Sequence, residues 1–125
     1  MYRWVIISLI LLTTLFGEIK ELTNENFSKA TARGVVVVEF WAGWNEANKV
    51  ILLDGWETFD AKVYRVNIED FPGIQNTNKV VILPTLIFYD EGEEIKRIQG
   101  DMTFTLKTSI KELEDIIEEI LGSKF

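Results

Sequence analysis

Chemistry in this chain must be done without sulfur nucleophiles or imidazoles, because its 125 residues include no cysteine and no histidine. That excludes thiolate attack, disulfide exchange, histidine acid-base catalysis and any Cys/His metal centre. The most distinctive polar pair is Asn45 and Asn48, three residues apart in Trp41-Ala42-Gly43-Trp44-Asn45-Glu46-Ala47-Asn48-Lys49. A carboxamide neither ionises nor carries electrons; it only donates and accepts hydrogen bonds. Just upstream, Glu39 interrupts the apolar run Val35–Trp41. A carboxylate buried there is costly unless it is paired or protonated. Glu69-Asp70 and the acidic residues of 90–94 lack the ligand spacing of a calcium loop and read as solvated turns. Asn26-Phe27-Ser28 fits the glycosylation triplet but falls in a predicted helix. No glycine-rich phosphate loop and no Ser-His-Asp set is present, so no cofactor or metal ion is expected.

Alternating strands and helices must position these groups. Residues 19–22 read as a first strand, and Thr23 or Asn24 can cap a helix through about residue 31 with Phe27 on its buried side. The run Val35–Trp41 is continuous enough to be a strand covered on both faces. A helix is expected from about Glu46, with Asp54-Gly55 as its stop signal. Residues 62–68 alternate in a third strand, and the polar stretch from Pro72 to Lys79 reads as a loop with a short helix. Residues 85–89 and 94–99 flank a hairpin turn at Asp90-Glu91-Gly92-Glu93. Ile110, Leu113, Ile117, Ile120 and Leu121 recur at helical spacing, opposite Lys111, Glu112, Glu114, Asp115, Glu118 and Glu119.

At 47% hydrophobic and 12% aromatic content, this length buries one substantial core. A net charge of −7 and a pI near 4.6 disfavour nucleic acid and anionic membrane surfaces as partners.

Three landmarks in register carry a resemblance to the thioredoxin superfamily, running from about residue 18 to 121. Val35-Val36-Val37-Val38-Glu39-Phe40-Trp41-Ala42 resembles the family's central strand entering its active-site turn. Val66-Asn67-Ile68-Glu69-Asp70-Phe71-Pro72-Gly73 resembles the strand and turn before its third helix. Ile82-Leu83-Pro84-Thr85-Leu86-Ile87-Phe88-Tyr89 resembles its cis-proline strand. The fold so implied is α/β: a central mixed β-sheet flanked by helices, preceded by an N-terminal hydrophobic segment.

The resemblance implies that Asn45 and Asn48 occupy the positions of the two redox cysteines, and that Asn45 keeps the helix-capping duty of the first. It further implies that Arg65 is the basic partner of buried Glu39. Leu83, preceding a cis Pro84, is expected to offer backbone groups to an extended peptide in a groove formed with Trp41, Trp44, Asn45 and Gly100, with Met102 at its edge. The expected function is a non-catalytic polypeptide-binding or structural module, not an enzyme. The competing reading is a thiol-disulfide oxidoreductase whose Cys-x-x-Cys was altered to Asn-x-x-Asn.

At the N-terminus, Arg3 precedes an apolar run over residues 4–16 and then Gly17. The run is shorter than a comfortable bilayer span, and Gly17 is the sole small residue at its end. Residues 1–17 are expected to be either a cleaved signal peptide or an N-terminal membrane anchor, with residues 18–125 as the domain it exports.

Overall fold

The structure is a computed structural model that describes residues 19–56, 58 and 60–124. The N-terminal hydrophobic segment lies outside the described residues. Elements follow in the order β1 (Lys20–Glu21), α1 (Phe27–Thr31), β2 (Val35–Trp41), two 3-10 turns (Gly43–Asn48 and Ile51–Gly55), β3 (Lys62–Asn67), α2 (Pro72–Thr77), β4 (Thr85–Asp90), β5 (Glu93–Gln99) and α3 (Ile110–Gly122).

The strands form one mixed sheet in the order β1-β3-β2-β4-β5. β3 runs parallel to both β1 and β2, while β4 is antiparallel to β2 and to β5. Strand periodicity sends successive β2 side chains to opposite faces. Val36, Val38 and Phe40 pack with Leu22, Val66, Ile68, Ile87 and Tyr89, with Phe27 of α1 laid against them. Val35 and Val37 pack on the other face with Val50, Leu53, Leu86, Phe88 and the buried side of α3. Glu39 shares the second face by the same alternation, and Arg65 is its register partner on β3.

The turn signal at residues 90–93 is realised locally. Glu91 and Gly92 both adopt positive φ, the backbone of a tight hairpin turn between β4 and β5. Ser109 caps α3 by accepting from the Glu112 N–H at 3.1 Å, about 1 kcal/mol for a good cap. α3 buries Leu113, Ile116, Ile117 and Ile120.

Other elements differ from expectation. α1 begins at Phe27, not at residue 24 or 25, because the Asn26 side chain accepts from the Thr23 N–H and holds the preceding residues in a turn. In place of an α-helix from Glu46, the chain makes two 3-10 turns separated near Lys49 and Val50, the second ending at Gly55. The Trp56 indole donates to the Glu114 carboxylate at 2.6 Å, tying the end of these turns to α3.

Candidate functional site

The sheet topology gathers four chain segments at one end. These are the segments leaving β2, β3 and β5 and the segment entering β4. Each supplies part of a cleft of about 210 Å³ lined by Trp44, Ile68, Glu69, Gln75, Val81, Leu83 and Phe104.

Asn45 and Asn48 meet at its margin. Asn48 Nδ2 donates to Asn45 Oδ1 at 2.7 Å, and Asn45 Nδ2 donates to the Phe104 carbonyl at 3.0 Å. Asn45 is only 7% exposed. The expectation that Asn45 caps a helix is corrected here: Ala42 occupies the cap position of this turn without a side-chain hydrogen bond, and Asn45 lies inside it at φ −115°. Its carboxamide is spent on Asn48 and the 100–105 loop, leaving none for the helix N–H groups.

That loop is built by its own polar residues. Asp101 accepts from the Thr103 N–H and hydroxyl, and the Asp101 N–H donates to the Thr105 carbonyl at 3.1 Å. The bonds from Thr103 hold the Asp101 carboxyl below its ordinary range, its hydroxyl most of all. Phe104, at φ 59°, then packs edge-to-face on Trp44 with centroids 5.2 Å apart. Gly100 makes the crossing feasible. A Cβ there would lie 2.8 Å from the carbonyl oxygens of both Leu83 and Thr105.

The Leu83–Pro84 peptide bond is cis, and Gly100 N–H donates to the Pro84 carbonyl at 2.8 Å. Among the described residues, neither backbone group of Leu83 has a hydrogen-bond partner. Leu83 itself is buried, whereas the neighbouring Val81 is 81% exposed.

Glu69 enters from the end of β3. Asn67 Oδ1 accepts from the Glu69 N–H at 3.0 Å, and Glu69 Oε1 accepts from the Trp44 N–H at 2.9 Å. Gly43 leaves room for that carboxylate, which a Cβ would approach to 2.7 Å.

Behind the cleft lies the Glu39–Arg65 pair, both side chains buried. Arg65 Nε donates to Glu39 Oε1 at 2.7 Å, Nη1 to Asp54 and Nη2 to the Val50 carbonyl at 2.8 Å. Glu39 Oε2 accepts from the Val50 N–H at 2.8 Å. One guanidinium therefore pins both sheet strands to the second 3-10 turn. Burial pushes the Glu39 carboxyl up, more than its hydrogen bonds from Val50 and Arg65 pull it down. Burial also works against the Arg65 charge, but the hydrogen bonds to Asp54 and Glu39 outweigh it and raise its pKa. Because Asp54 shares the guanidinium, Arg65 stays charged and Glu39 is the member that takes up a proton more readily.

The structure thus brings Trp44, Leu83, Asn45, Gly100 and Pro84 to one end of the sheet, but not every anticipated residue to the cleft. Trp41 turns aside: its indole donates to Glu21 at 3.1 Å, and Lys49 sits 3.7 Å above its ring. Met102 is 89% exposed and forms no part of the lining, a place taken by Phe104. Phe104 carries no expected role in the sequence, and Glu69 is expected there only as part of a solvated turn. For Phe104 the available signal is an isolated aromatic after Gly100-Asp101; for Glu69 the sequence holds none, because its contact with Gly43 and Trp44 is tertiary.

This fold and its site define a thioredoxin-like domain whose redox loop holds amides in place of thiols. The thioredoxin family model matches residues 18–112, and the chain belongs to that family. It is 33% identical over 86 residues to a thioredoxin of Chlamydia caviae, covering 66% of this chain and 84% of that protein. To thioredoxin-2 of Saccharomyces cerevisiae it is 27% identical over 97 residues, 74% of this chain and 93% of that one. Among solved structures, a point-mutant thioredoxin from Halobacterium salinarum superposes with a TM-score of 0.64 at 22% identity, over 82% of this chain and 90% of that chain.

Proposed function

We propose that this chain is a redox-inactive thioredoxin-like module that binds an extended polypeptide, without a covalent step, in the cleft between Trp44, Leu83 and Phe104. The observation that carries this reading is the Asn45–Asn48 pair: at the thiol positions stand two amides hydrogen-bonded to each other, in a chain with no cysteine. A thiol-disulfide reaction needs a thiolate and a second sulfur, and nothing in this composition supplies either. What survives at the site is recognition chemistry. Unpartnered backbone groups at Leu83 suit the addition of a strand, and exposed Trp44, Val81 and Phe104 supply apolar contact. The apolar run of residues 4–16 behind Arg3 favours a protein exported from the cytoplasm, either freed by cleavage or held at the membrane by its N-terminus.

The test pairs an activity assay with a binding assay. Purified chain is expected to show no insulin reduction in the presence of dithiothreitol beyond the reagent alone, while an immobilised library of extended peptides retains it and Trp44→Ala weakens that retention. Reproducible catalytic turnover by the unaltered chain would end this reading. So would a failure of every peptide to retain the folded protein, or retention that Trp44→Ala leaves unchanged.

A further inference from the structure

Glu69 is the one carboxylate in the cleft, and no lysine or arginine lines it. One of its oxygens accepts from the Trp44 N–H, which fixes where the carboxylate sits. Among the described residues it has no cationic partner, in contrast to Glu39, Glu46, Asp54, Asp90, Glu91, Glu94 and Asp115. Around it stand an exposed indole and a half-exposed phenyl ring. In their edge-to-face arrangement, the ring that presents its edge keeps both faces clear of the other. A carboxylate in the same cleft as two partly exposed aromatic rings is a receptor for a cation: it supplies a charge-assisted hydrogen bond and the rings supply cation–π attraction.

The size of the cleft decides what carries that cation. About 210 Å³ is below the roughly 300 Å³ at which pockets begin to enclose small-molecule ligands. It suits one long side chain whose backbone continues outside. The unpartnered backbone of Leu83 lies at the same cleft, where such a chain could run.

We infer that the cleft selects a cationic residue, arginine or lysine, within an extended polypeptide, with Glu69 as the group that reads the charge and Trp44 and Phe104 as the apolar walls. The inference rests on the proposed peptide-binding function and adds its specificity. The net charge of −7 favours approach of the same kind of partner.

The test uses the full chain and dye-labelled Gly-Ser-Thr-Val-X-Val-Thr-Ser-Gly peptides in which X is arginine, norleucine or glutamate, read by fluorescence anisotropy. The arginine peptide is expected to bind about tenfold more tightly than the norleucine peptide, and the glutamate peptide more weakly than either. Glu69→Gln, which can still accept from the Trp44 N–H, should erase the arginine advantage, so that the arginine and norleucine peptides bind alike. Equal binding of all three peptides would overturn the charge selection and leave the polypeptide-binding reading standing. An arginine preference that survives Glu69→Gln would overturn the assignment to Glu69. No binding by any peptide, with the fold intact by circular dichroism, would overturn both.

Discussion

Asn45 donates its side-chain N–H to the carbonyl of Phe104, 59 residues later in the chain, across a 3.0 Å hydrogen bond. The position that the family uses for reaction is here a strut for the loop that walls the cleft. A strut and a helix cap respond differently to the same substitution, because an aspartate is an excellent cap but a poor neighbour for a carbonyl oxygen. Asn45→Asp should therefore be destabilising by about 1–3 kcal/mol and more so than Asn45→Ala, as measured by urea denaturation. An aspartate variant as stable as the wild type would restore the capping role and remove the strut.

The buried cluster makes an asymmetric prediction. Arg65→Ala leaves Glu39 in the core without its counter-ion and frees Asp54 and the Val50 carbonyl. Breaking a buried pair in this way costs about 3–5 kcal/mol. Glu39→Gln keeps an acceptor for Arg65 and loses one favourable contact, for about 1 kcal/mol. Equal small losses for the two variants in equilibrium unfolding would show that the guanidinium does not hold the 3-10 turns in place.

The same cluster sets a pH dependence. Burial raises the Glu39 carboxyl above its ordinary 4.5, so between 4.5 and that raised midpoint the folded state binds more proton than the unfolded state. Stability contributed by this group is complete below 4.5 and is lost as pH rises through the window. Denaturation midpoints measured from about pH 4 upward should fall across this interval for wild type relative to Glu39→Gln. A difference that grows with pH in the opposite sense would mean that Arg65 stabilises the carboxylate beyond its desolvation cost.

How much of this was legible in the sequence depends on the range of the interaction concerned. The run Val35–Trp41 marked a central strand, and its period of two placed Glu39 on the face of Val35 and Val37. The hairpin signal at residues 90–93 is local, and Glu91 and Gly92 realise it; the Ser109 cap, three residues from Glu112, is equally local but stands outside the sequence expectations. The Glu39–Arg65 pair came instead from resemblance, since it depends on strand register. The Asn45 strut was illegible because its partner is a backbone carbonyl, which carries no residue identity, on a remote loop. The replacement of a helix by 3-10 turns was likewise hidden. The anchors of those turns, Arg65 and Glu114, lie on β3 and α3.

Two glycines at the cleft give opposite predictions because of what each faces. A Cβ at Gly100 would meet the backbone carbonyls of Leu83 and Thr105 at 2.8 Å each. Neither segment can withdraw without moving the loop, so Gly100→Ala should cost about 1–3 kcal/mol. It should also displace Phe104 from Trp44, seen as loss of ring-current shifts in the NMR spectrum. A Cβ at Gly43 would meet the Glu69 carboxylate first, at 2.7 Å. That side chain can swing away, so Gly43→Ala should stay within about 0.5 kcal/mol of wild type. Its signature would instead be local: the Trp44 amide resonance moves as its bond to Glu69 breaks. If Gly43→Ala proved the more destabilising of the two, the carboxylate would be as rigid as backbone, and the cleft would be held from the Glu69 side and not by the Gly100 crossing.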